Sequence, residues 1–140
     1  MRQSPFVTAL LLAAVLLLAA ATARAQALPP QGMPPEALAD ALIRGLSDRV
    51  ALTPEEHAAM RPILVAQIAK RQTMVRSELA ARPGAAGLLA LRGKLRVLDD
   101  ETDAQLRTVL PPAKLAALQQ YRREQREHAR ARLAAARSTS

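Results

Sequence analysis

Two histidines and one acidic run are the residues of this chain whose types could do chemistry. His57 follows Glu55 and Glu56, and His128 follows Glu124 and Glu127. Imidazole beside carboxylate is a partial ligand set for a divalent metal, but two histidines far apart in sequence fall short of a tetrahedral site. Met60 and Met74 are soft side chains that fit core packing more simply than ligation. The run Asp99-Asp100-Glu101 could supply paired carboxylates for general acid–base work, which requires a pocket that shifts their pKa values. On an exposed helical face the same run is only a solvated surface, and that is the expectation here. There is no cysteine, so thiolate zinc sites and disulfides are excluded. No serine sits in a nucleophile elbow and no glycine-rich loop could cradle a phosphate. The chain is read as a non-enzyme that needs no cofactor.

Charge points to partners rather than substrates. The 140 residues carry 20 Lys and Arg against 12 Asp and Glu. The segment "MRQSPFVTALLLAAVLLLAAATARA" has the parts of a secretory signal: Arg2, an apolar run from Phe6 to Ala21, and small residues in Ala23-Arg24-Ala25. Cleavage after Ala25 would deliver the chain to the periplasm, beginning at Gln26. It would remove Arg2 and Arg24, leaving 18 basic and 12 acidic residues, a net of +6. The rival reading of the same run is an uncleaved anchor. An exported protein with a single aromatic ring, too few to stack on successive bases, is not read as a nucleic-acid binder. Its Arg-rich end, Arg122 to Arg137, better fits anionic lipid headgroups or acidic, partly unfolded proteins. After the signal, Tyr121 is the only aromatic ring, so the core must be built from Leu, Ile, Val, Met and Ala and will be thin.

Those side chains have to be positioned by helices. Residues 26–35, "QALPPQGMPP", read as an extended Pro-rich leader. A helical domain follows over 36–128, and 129–140 read as a basic, partly disordered tail. In the first helix Leu38, Leu42, Ile43 and Leu46 share a face. The second spans Pro54 to Ala81. Its stripe is Met60, Ile63, Leu64, Ile68, Met74, Val75 and Leu79, with Gln67, Lys70, Arg71, Arg76 and Glu78 placed outside it. Pro62 falls inside this helix, where it removes an N–H and crowds the carbonyl of Ala58, so a bend is expected. "RPGAAG" stops it. The third helix follows Leu88, Leu91, Leu95, Leu98, Thr102, Leu106 and Val109, and the register continues through the acidic run, so one helix is favoured over two. A fourth starts near Pro112, with Leu115 and Leu118 on its apolar edge, and turns polar all round after Tyr121.

Two of these starts share an outline. Leu52 aligns with Leu110, Pro54 with Pro112, Ala58-Ala59 with Ala116-Ala117, and Met60 with Leu118. In the first copy Thr53 can cap the backbone while Glu56 reaches back, a capping box with Pro54 at the first helical position. In the second, Pro111 has no side-chain acceptor. At these residues the chain resembles the Spy/CpxP family of exported bacterial proteins, named for its Leu-Thr-x-x-Gln motifs. Leu52-Thr53-Pro54-Glu55-Glu56 has Glu where the family has Gln. Leu110-Pro111-Pro112-Ala113-Lys114 keeps the Leu and replaces both Thr and Gln. The resemblance covers roughly 38–128.

The resemblance implies an all-α, hooked four-helix hairpin that pairs into a cradle-shaped homodimer. It also implies an ATP-independent chaperone or stress-signalling accessory that binds unfolded envelope proteins or a sensor protein. On that reading Arg61, Arg71, Arg76, Arg122, Arg123 and Arg126 attract acidic or partly unfolded partners from a distance, and small apolar patches then hold them weakly. The alternative, a zinc- or copper-responsive protein of the same fold, would use His57 and His128.

Overall fold

The structure is a computed structural model, and it describes residues 32–138. The signal segment and most of the Pro-rich leader lie outside the described residues. Four helices and no strand are present among them: α1 (Pro35–Ser47), α2 (Pro54–Ala80), α3 (Ala85–Leu106) and α4 (Pro112–Ser138). The all-α reading holds, and no helix of the described residues is long and apolar enough to cross a membrane. The described residues from Pro34 onward form one compact unit.

Each boundary has a local cause. Thr53 caps α2: its hydroxyl accepts from the Glu56 N–H at 3.1 Å, and its own N–H donates to the Glu56 carboxylate at 2.9 Å. That is the capping box the sequence proposed, with Pro54 and both first-turn glutamates in place. The other end of α2 is closed by Arg82, whose φ of 49° is left-handed. Glycine ordinarily takes this position after a helix, but here the pre-proline residue does, since Pro83 disfavours a right-handed helical conformation at Arg82. α3 runs unbroken through residues 99–103 and ends at Leu106, short of the Val109 to which the apolar spacing extended. Val109 and Leu110 follow in a turn closed by N–H bonds to the Leu106 carbonyl.

The core sits at one end of the molecule. Ala39, Ile43 and Leu46 of α1 meet Met60 and Leu64 of α2, Leu106 and Leu110 at the end of α3, and Leu115 and Leu118 of α4. Six of these are essentially without solvent contact: Ile43, Leu46, Met60, Leu64, Leu106 and Leu118. With no aromatic ring inside it, each side chain contributes on the order of 1.5–3 kcal/mol by burial. Gly45 has a specific reason to lack a side chain, because a Cβ there would lie 2.2 Å from the Tyr121 hydroxyl. Tyr121 thus packs against α1 with its hydroxyl end at Gly45, with Arg49 over its ring at 4.7 Å and Glu124 held by Arg49 at 2.6 Å.

Beyond this core α2 and α3 continue as an antiparallel pair. Leu91 and Leu98 are buried between them. The apolar stripe read along α2 is therefore covered at its start and open at its end: Met60 and Leu64 are buried, whereas Leu79 is 55 % exposed. Leu88, placed on the α3 stripe, is 49 % exposed for the same reason. α4 also outruns its support. It stays helical to Ser138, through the boundary placed at 128, yet every residue from Gln125 to Ser138 is exposed. Ala and Arg favour helix without tertiary contact, which accounts for the continuation.

Candidate functional site

Three of the six arginines expected to meet partners are engaged inside the molecule. Arg61 on α2 holds Asp40 of α1 through two bonds, Nε to Oδ1 at 2.8 Å and Nη2 to Oδ2 at 3.1 Å. The pair keeps the Asp40 carboxyl below its ordinary pKa and raises that of Arg61, the hydrogen bond being the main cause in each. Arg71 donates to Asp99 at 2.6 Å. Arg122 corrects the sequence reading most sharply. Its side chain is only 13 % exposed and reaches Asp103 at 3.0 Å and the Gln67 carbonyl oxygen at 3.2 Å. Burial pulls the Arg122 guanidinium below its usual pKa, while Asp103 and Asp99 oppose the shift.

These contacts join into one polar layer. Gln67, set outside the apolar stripe by its polarity, is 7 % exposed and donates to Asp99 at 2.9 Å. Gln119 donates to Asp103 at 2.8 Å. Arg71, Asp99, Gln67, Arg122, Asp103 and Gln119 thus tie α2, α3 and α4 together just above the apolar core. A signal for this was present. Met60, Leu64, Gln67 and Arg71 keep one three–four register, and so do Leu115, Leu118 and Arg122, so Gln67 and Arg122 occupy core positions. One member of the acidic run is accordingly not on a solvated face: Asp99 turns inward, as does Asp103 just beyond the run, and Asp100 and Glu101 stay exposed.

The two repeated motifs also meet. Lys114, the fifth residue of the second copy, donates to Glu56, the fifth of the first, at 2.6 Å. Both side chains are largely covered, 24 % and 13 % exposed. Lys114, with the Thr53 N–H, holds the Glu56 carboxyl below its ordinary pKa. Leu110 is buried and Leu52 packs on the core from its edge. Pro112 opens α4, where the Pro111 carbonyl accepts from the N–H groups of Lys114 and Leu115.

What remains open to a partner is the α2–α3 pair and the far side of α4. Among the described residues, Leu79, Leu88, Leu89 and Val97 are four of the five large apolar side chains left exposed, the fifth being Leu133. A shallow groove of about 620 Å³ runs along α2 past Ala66, Ala69, Thr73, Met74 and Ser77, with Lys94 of α3 at its edge. Lys94 pairs with Glu78, and Lys70 lies 3.9 Å from Glu101. Arg76, Arg123 and Arg126 are exposed, and Arg123 donates to Gln120 within its own helix. His57 and His128 are both exposed. Among the described residues, no three or more His, Cys, Asp or Glu side chains come together in a group that could hold a metal ion. Compared with protein-family models, curated proteins and solved structures, the chain gives no match in any of the three.

Proposed function

We propose that this protein is an ATP-independent chaperone or envelope-stress accessory of the Spy/CpxP type, working in the periplasm after its signal is cleaved. It binds unfolded proteins or a sensor protein reversibly, without cofactor or catalysis, and its homodimer would widen the contact surface. The observation that carries the reading is the exposure of Leu79, Leu88, Leu89 and Val97 on an α2–α3 pair that outruns its own core. Separate aliphatic side chains without an aromatic anchor give weak, adaptable contact, which lets a client leave again. Lys70 and Lys94 lie beside Val97, and the exposed Arg76 adds to the basic charge of α2, which favours acidic partners. The motif pairing adds support. At the two positions where the resemblance has Gln, this chain has Glu56 and Lys114, and the two departures compensate each other as an ion pair. The test is aggregation of an unrelated protein, followed by light scattering with and without this chain and with no nucleotide present. Suppression near equimolar ratio is expected. Unchanged aggregation would reject the reading.

A further inference from the structure

The unsupported half of α4 carries a linear basic face that the reading above does not use. At 3.6 residues per turn, Arg123, Arg126, Arg130, Leu133 and Arg137 project within about 80° of one another, along about 21 Å of helix. All five are exposed. At its inner end the face is broadened by Arg96 of α3, which lines a cleft of about 230 Å³ together with Arg123 and Arg126. The acids of that cleft are unequal. Asp99 and Asp103 are committed to Arg71 and Arg122, and Asp100 alone is left at its rim. The acids of α4 itself lie off the face: Glu124 is held by Arg49, and Glu127 projects to one side.

We propose that this face docks the protein on a bilayer carrying anionic phosphate headgroups. The shape selects that partner. A convex rod exposed along its length meets a plane, whereas an extended acidic peptide needs a groove, and the cleft beside Arg123 and Arg126 is small. Guanidinium groups match phosphate oxygens in two-pronged hydrogen bonds. Each arginine near an anionic surface adds to the attraction, which falls off within a Debye length. Leu133, 61 % exposed between Arg130 and Arg137, is the one apolar side chain placed to enter the headgroup layer. The docking is peripheral and salt-sensitive. It uses a different surface from client binding, so either can fail without the other.

Because the chain has no cysteine, Ala134→Cys with a polarity-sensitive dye reports contact at this face alone, even in the full chain. The dye should respond to vesicles of phosphatidylcholine with about 30 % phosphatidylglycerol, not to phosphatidylcholine alone, and the response should vanish near 0.5 M salt, at a Debye length of about 4 Å. Replacing Arg123, Arg126, Arg130 and Arg137 with Gln should weaken the response at least about ten-fold, with helix content by circular dichroism unchanged. Replacing the exposed Arg44, Arg76, Arg92 and Arg107 with Gln makes the same charge change elsewhere and should leave affinity within about three-fold. No response to anionic vesicles, or equal loss in the two variants, would overturn the proposal. So would an equal dye response to polyglutamate or to a nucleic acid at matched charge, since either would make the face a site for that polymer.

Discussion

At the scale of single residues, identity and neighbours decide differently. Thr53 needs only its own turn: a hydroxyl at the N-cap and a glutamate three residues on complete the box wherever the helix lies. Thr53→Ala should cost about 0.5–2 kcal/mol in urea unfolding. Pro111→Ala should change stability much less, because Pro111 offers α4 no side-chain acceptor. Arg122 depends on partners from two other helices. Arg122→Ala leaves Asp103 with Gln119 alone and the Gln67 side-chain oxygen without its donor, and should cost about 3 kcal/mol by the same measurement. Arg123→Ala, one residue along and exposed, should stay within about 0.5 kcal/mol of wild type. The carboxyls define an acid limit. Asp40, Glu56 and Glu124 have folded pKa values below their unfolded ones, held there first by Arg61, Lys114 and Arg49 respectively. Their contribution is complete above the ordinary carboxylate range of about 4 and is lost as pH falls through the lowered values. The melting temperature should therefore drop between neutral pH and about pH 3, and Glu56→Gln should flatten that drop.

At the scale of the helix, Pro62 is the residue to explain. It sits inside α2, two turns after a well-capped start, on the exposed side of a helix whose neighbours Ile63 and Leu64 face the core. Proline there removes the N–H that would bond the Ala58 carbonyl and costs up to about 3 kcal/mol against alanine. Pro62→Ala should raise the melting temperature. If the proline shapes the surface that α2 presents to clients, the same variant should suppress aggregation less well. A stabilised and fully active variant would make the proline incidental. The helices themselves were legible because hydrophobic spacing and helix-start residues act within a few turns. α2, α3 and α4 begin at or near the expected residues for that reason. The polar layer was not legible from residue type. Gln67 and Arg122 carry polar side chains in apolar register, and only the approach of Asp99 and Asp103 from α3 makes their burial affordable. Periodicity said where those side chains would point, while composition argued that they should not point there.

At the scale of the whole molecule, the division between covered and uncovered surface matters most. One end has a compact aliphatic core where all four helices meet, and the α2–α3 pair and α4 extend past it in different chemical dress: aliphatic side chains on the pair, arginines on α4. Sequence periodicity continues at full strength along α2 and α3, so it could not show where coverage ends. That depends on the length of α1 and on the path of α4. The central claim is that the uncovered aliphatic side chains hold clients. Its most direct test replaces Leu79, Leu88, Leu89 and Val97 with Gln, a good helix former, at positions where exposure should keep stability within about 0.5 kcal/mol per site. Aggregation suppression of an unrelated protein is then compared at equal concentration with wild type. The account predicts that the variant folds with an unchanged core and loses most of its suppression. Suppression equal to wild type would contradict it.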